Sequence, residues 1–243
     1  IEFISKKFDI FLTLGWKSNN KKFKPAGSFF KWIDKGSTKK KYPIIFADGV
    51  TVHRPPFTCT AYGESGQFNS ASYVNMNILF FNSLKKEILK KIWLKKYPDD
   101  SKKTFCYNPI DKKIGASKIK FVNKLEDPNI RLSNYINSAE LIITNYLSTS
   151  YIQSLMTNKP TIIFFNPKSY FLNEKYHGIY KKLIRCKIMH NNPKEAAEFI
   201  NHNYNNINKW WYDPKTQKAR KEFVKANIKD SSNMYSVLNK VLK

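Results

Sequence analysis

The chain has 243 residues, of which 42% are hydrophobic and 15% aromatic, and its formal net charge is +25. This apolar content excludes a disordered chain, and no run of about 18 apolar residues is present to span a membrane. Lysine supplies nearly all the positive charge, since Arg54, Arg131, Arg185 and Arg220 are the only arginines. Arginine carries the fork and the stacking plane that nucleic-acid readers use, so nucleic acid is not an expected partner. Two readings of the lysines stay open: a compositional bias shared with Asn and Ile, and a basic face that meets anionic lipid or attracts an anionic nucleotide. Cys59, Cys106 and Cys186 are far apart and form no CxxC, which argues for a reducing compartment and against a disulfide framework or a zinc site.

In chain order, residues 9–14 read as a buried strand ending at Gly15-Trp16, and 42–47 as a second ending at Asp48-Gly49. Residues 51–66 are rich in Pro, Gly, Thr and Ser and read as a long loop, a feature that tends to be functional. Residues 72–96 read as one long helix, with Ile78, Phe81, Ile88 and Ile92 at helical spacing and Pro98 beyond its end. Residues 104–107 and 119–122 are short strands, 129–138 a short helix, and 141–144 a strand. A helix over 149–157 leads to a strand over 161–165, and 184–189 is the place for a last strand. Helices over 193–203, 214–227 and 231–242 close the chain, each with Pro or Ser near its start. Strand–helix–strand repetition means βαβ units, hence a Rossmann-like α/β fold: a mostly parallel sheet with helices on both faces. The expected organisation is a single domain over 1–243, with 205–243 as closing helices.

Ligands of such sheets bind beyond the carboxyl ends of the strands. The segment 141–167 therefore carries most of the signal. Its strand ends at Thr144, and the polar turn from Asn145 enters a helix at Ser148, Thr149 and Ser150. Backbone N–H groups and the helix dipole at such a start can hold a phosphate. The same residues also fit a plain capping box, with Ser150 and Gln153 satisfying each other's amides. Neither GxGxxG nor GxxxxGKS occurs.

The strand, the Ser/Thr turn, the helix and the following Asn158-Lys-Pro-Thr-Ile-Ile-Phe164 resemble the donor-binding, C-terminal half of GT-B glycosyltransferases. More narrowly, the chain resembles a bacterial family of transferases of surface carbohydrate biosynthesis. Leu14-Gly-Trp-Lys17 with Pro25-Ala-Gly-Ser28, Gly66-Gln67 with Tyr73, and Ile188-Met-His190 with Pro193 and Glu195-Ala-Ala197 carry that likeness. So do Trp210-Trp211, Gln217, Ala219-Arg220 and Phe223, its most specific part. The resemblance implies a nucleotide-activated sugar as substrate rather than a cofactor, and a carbohydrate or lipid-linked acceptor. It implies a cytoplasmic protein, with peripheral contact at the anionic inner face of the membrane. It also makes the chain a fragment without an N-terminal acceptor half, which would bind donor but turn over poorly. Two departures favour a rival reading, a non-catalytic remnant or partner subunit of a split transferase. Gln153 stands where the family has Glu, and Phe105 and Cys106 stand where an arginine is expected.

The donor-site residues expected on these grounds are Gly15, Trp16, Arg54, Asn145, Ser148, Thr149, Ser150 and Gln153. Gly15 and Trp16 would line the cleft from the first strand. Arg54 would offset charge on the leaving group. Asp48 and His53 are candidates for a catalytic base, against the simpler reading of a turn Asp and a solvated loop. His177 and His190 read as structural, the Trp210, Trp211 and Tyr212 cluster as packing, and no metal-ligand set is evident.

Overall fold

The computed structural model describes residues 6–27, 41–48, 67–95, 122–125, 131–169, 174, 177–228 and 232–241. Near the start of the chain, β1 (Phe11–Thr13) and β2 (Phe23–Pro25) pair with each other in parallel. The main sheet takes β3 (Tyr42–Ala47), β4 (Ile92–Lys95), β5 (Asn123–Lys124), β6 (Ala139–Thr144), β7 (Thr161–Phe164) and β8 (Met189–His190). Its strand order is β5-β4-β3-β6-β7-β8, and every pairing is parallel. This is the doubly wound order: the chain builds outward from β3 through β4 to β5, then returns to β6 and builds the other way.

The strands are short and apolar because both faces are covered, and alternation divides their side chains between two layers. Ile44, Phe46, Ile92, Leu94, Leu141, Ile143, Ile162 and Phe164 face α1 (Gln67–Ser83), α2 (Lys86–Leu89) and the later helix α6 (Pro193–Asn203). Phe80 stacks on Phe164 at a centroid distance of 4.5 Å in this layer. On the other face Ile45 and Ile142 meet α3 (Ser133–Ile136), while Ile163 and Phe165 meet α4 (Thr149–Met156) and α5 (His177–Arg185). Trp211, Ala219, Phe223 and Ile228 close that second layer, from α7 (Ile207–Trp211), α8 (Pro214–Asn227) and the residue after α8. The last helix is α9 (Ser232–Val241).

Three expectations need correction. Residues 72–96 are not one helix: α1 begins earlier, ends at Ser83, and gives way to α2 and then to strand β4. The apolar spacing of Ile88 and Ile92 mimics a helix, but Ile92 and Leu94 are buried between β3 and β5. Asn201 of α6 fixes the break, since its side chain accepts from Lys85 N (2.9 Å) and donates to Ser83 O (2.8 Å). Second, the strand of 9–14 does not enter the main sheet. Third, Ile184 belongs to α5, and the last strand begins only at Met189. The expected strand over 104–107 and the loop over 51–66, with His53 and Arg54, lie outside the described residues.

Candidate functional site

The order of the sheet reverses between β3 and β6, and ligand crevices of doubly wound folds open at that point, past the carboxyl ends of the strands. Asp48 and Asn145 are the residues that follow these two strands, and both are buried. The Asn145 amide nitrogen lies 2.8 Å from Asp48 Oδ1, 2.6 Å from the Tyr73 hydroxyl and 2.9 Å from Asn77 Oδ1. The Tyr73 hydroxyl donates to Asp48 Oδ1 at 2.6 Å, and the Asn77 amide donates to Tyr73 O at 2.9 Å. Charge-assisted and buried, these bonds hold α1 to both central strands at the strands' carboxyl ends. Asp48 is 2% exposed. Such burial suits it to pinning α1 to the strands rather than to serving as a solvent-facing base.

Above Asn145 the chain turns into α4. Ser148 occupies its N-cap position at φ −142 and ψ −167 and makes no side-chain capping bond, so the expected Ser150–Gln153 capping box is not what starts the helix. Thr149 is exposed and Ser148 half-buried at this start. Ser150 turns inward instead: it is buried, and its hydroxyl lies 2.7 Å from that of Tyr146. Gln153 is half-buried one turn later, where its carbonyl accepts from Thr157 N and Oγ1. Thr144, at the end of β6, is fully buried, and its hydroxyl has no hydrogen-bond partner.

Gly15 is tied to the residue after α8. Helix α8 runs against α4 in the opposite sense: Arg220 sits at Leu155 O, and Phe223 sits at the Tyr151 ring, 5.9 Å between centroids. Ile228 therefore falls past the first turn of α4, and Gly15 forms an antiparallel bridge to it. The Gly15 φ of 150° is a conformation that side chains disfavour. Asn166, after β7, donates to the Ser72 hydroxyl of α1 at 2.7 Å, which adds a polar tie at this end of the sheet.

His190 ends the edge strand β8 and is 2% exposed, with Nε2 3.0 Å from Lys187 O. Burial lowers its pKa to about 4, the Lys187 charge adds to that, and the bond to the Lys187 carbonyl opposes it. His177 is exposed at the start of α5. Among the described residues no three of His, Cys, Asp and Glu gather for a metal, and no helix is long and apolar enough to cross a membrane.

With this geometry in place, the family model of the LIC12162 family transferases matches residues 2–242. The chain belongs to that family. Two solved structures similar to it are the wall teichoic acid polymerase TagF, at 12% identity and a TM-score of 0.45, and a TagF variant, at 13% and 0.45. They match 97% and 98% of this chain, which spans 58% of each of theirs. No curated protein sequence matches it.

In this LIC12162 family transferase the Trp-Trp, Gln and Ala-Arg residues are not a ligand platform. The Trp211 indole N–H lies 3.0 Å from Asn158 O and 3.1 Å from Asn158 Oδ1, and Arg220 Nη1 donates to Leu155 O at 2.7 Å. Both acceptors belong to the C-terminal end of α4, where Asn158 has a φ of 54°. Gln217 joins the pair, donating to Trp211 O at 2.8 Å and accepting from Arg220 Nε at 3.2 Å. Trp210 donates to Cys186 O at 2.9 Å. The signature braces the C-terminal end of α4. Sequence reasoning missed Asn77 and the pinning role of Tyr73. The available signal was a polar pair four residues apart on an apolar helix face.

Proposed function

We propose that this transferase acts as the donor-binding part of a glycosyltransferase-like enzyme of bacterial surface carbohydrate synthesis. The donor is a nucleotide-activated sugar, bound as substrate. Its phosphates meet the start of α4 at Ser148 and Thr149, and the acceptor is a carbohydrate or a lipid-linked carbohydrate. The observation that carries this reading is the position of α4. A helix N-terminus without a side-chain cap follows β6, one of the two strands of the switch point, and a dipole and oriented amides there favour an anion. The pinned Asp48–Tyr73–Asn77–Asn145 network supports it, because preorganisation beneath a site limits what binding must order. In this reading Asn145 supports the site from below, and Gly15 and Trp16 line it from the first strand. Excess lysine would draw the anionic donor in and hold the protein against an anionic inner membrane face.

Calorimetric titration with a panel of nucleotide sugars tests the reading. Binding of at least one donor is expected, weakened about threefold to tenfold in Ser148→Ala with Thr149→Ala, the size of a few lost hydrogen bonds. Absence of heat with every donor overturns it. The burial of Asp48 and the Gln at position 153 favour one alternative, a binding subunit without its own catalytic base. Donor binding with no hydrolysis or transfer by this chain, whatever acceptor is supplied, would select that alternative.

A further inference from the structure

The helices on the two faces of the main sheet differ in charge. On one face α1 contains no charged residue, and α6 sets Lys194 against Glu195 and Glu198. The short α2 and its flanks add Lys85, Lys86, Lys90 and Lys91, with Glu87 among them. On the other face α8 exposes Lys215, Lys218, Lys221 and Lys225, and α5 exposes Lys181, Lys182 and Arg185. Lys187, exposed in the turn after α5, continues the series. The excess charge is therefore sided, which a compositional bias alone does not require.

Helices α5 and α8 lie side by side and antiparallel. Cys186, just past α5, meets Lys215 O at the start of α8 (3.6 Å), Lys182 meets Glu222 (2.6 Å), and the Tyr180 ring lies 5.8 Å from that of Phe223. Helical spacing gathers Lys218, Lys221 and Lys225 on the side of α8 opposite its buried Ala219 and Phe223. These lysines, with Pro214, Gln217 and Glu222, line a shallow open hollow of about 460 Å³. Both acids of this helix pair and its caps are engaged. Glu222 is bound by Lys182, and Asp213 caps α8 by accepting from the Lys215 and Thr216 amides. The chemistry of the face selects its partner. Lysine offers a mobile point charge on an apolar stem, which suits lipid phosphates that are themselves mobile. A nucleic-acid reader uses the arginine fork, and this face exposes only Arg185. Tyr212, 56% exposed two residues before α8, is an aromatic of the type that settles among headgroups.

We propose that the outer face of α5 and α8 is a docking surface for an anionic lipid bilayer, with Lys218, Lys221 and Lys225 at its centre. The inference rests on the membrane contact included in the reading above and gives it a place on the molecule. It does not depend on donor binding. Attraction acts through the summed field of the lysines, so it is screened by salt and scales with the number of cations at the surface.

The test is co-sedimentation of the 243-residue chain with vesicles of phosphatidylcholine alone, and with vesicles in which roughly a third of the lipid is phosphatidylserine. The chain binds the anionic vesicles at least about tenfold more tightly and is released as salt rises to about 500 mM. Lys218→Gln combined with Lys221→Gln and Lys225→Gln weakens that binding about thirtyfold or more. A control triple, Lys85→Gln with Lys90→Gln and Lys194→Gln, removes the same charge from the other face and weakens it less than about threefold. All six positions are exposed, so both triples melt no lower than the parent. Equal losses in the two triples overturn the inference, since net charge alone would then account for the binding. Indifference of the parent to phosphatidylserine overturns it too. So does tighter binding of a DNA duplex than of the anionic vesicles, weakened by the α8 triple, which would assign the face to nucleic acid. Nucleotide-sugar calorimetry on the same proteins keeps the two readings apart. Vesicle binding that needs the α8 lysines, with no donor bound by any variant, keeps the docking surface and removes the donor reading. Donor binding by a parent that ignores anionic vesicles does the reverse.

Discussion

His190 and Asn145 show how single polar groups set the conditions under which this protein holds together. With a folded pKa near 4, His190 is neutral in the native state across the range where an unfolded histidine, near 6.5, takes up a proton. The unfolded chain therefore binds more protons between these values, and stability falls as pH drops from about 6.5 toward 4. The full loss is about 3 kcal/mol. Urea unfolding at a series of pH values measures it, and His190→Gln should flatten the curve over that window. Asn145 is the donor shared by three buried acceptors. Asn145→Leu leaves those oxygens short of a donor and should cost about 2–3 kcal/mol, read as a lower urea midpoint at unchanged slope. Neither effect was legible in the sequence. Asn145 stands 97, 72 and 68 residues from Asp48, Tyr73 and Asn77, and only the fold brings them together.

At the scale of the element, α4 is held at its C-terminal end by side chains from the closing helices. Arg220→Met removes the donor to Leu155 O, and Trp211→Phe removes both bonds to Asn158. Each should destabilise by about 1–3 kcal/mol. Their effects should also fail to add in a double-mutant cycle, since both residues are joined through Gln217. A strictly additive cycle would show that the two braces act separately. The run from β6 through α4 to β7 was readable from sequence because its signals are local: a β-branched run, a polar turn, a helix, then Pro160 before the next strand. β4 was not readable. Its Ile92 continues the spacing set by Ile88, and only burial between two other strands shows that the segment is extended. The resemblance to a transferase family located the Trp-Trp and Ala-Arg signature correctly, while its job became visible only as hydrogen bonds to α4.

For the whole molecule, the alternation of strands and helices was enough to give the layered α/β class. Local patterns could not give the separate pairing of β1 with β2, because pairing is a choice among partners distant in sequence. The net charge of +25 acts on this entire body. Like charges repel in the compact state and are screened by salt. The melting temperature should therefore rise by several degrees between about 10 and 200 mM sodium chloride, as differential scanning calorimetry would record. A flat or falling trend would mean that the lysines are already offset by favourable pairs.

The bridge between Gly15 and Ile228 has a consequence for biosynthesis. A ribosome makes the β1–β2 ribbon long before its anchor beside α8. The ribbon must wait, unclasped, while the sheet assembles around β3 and β6. Contacts that close such long stretches of chain form late. Pulse-labelled hydrogen exchange during refolding should find the amides of residues 11–27 among the slowest to gain protection. A nascent chain halted before Ile228 should expose Phe11 and Phe23 to chaperones.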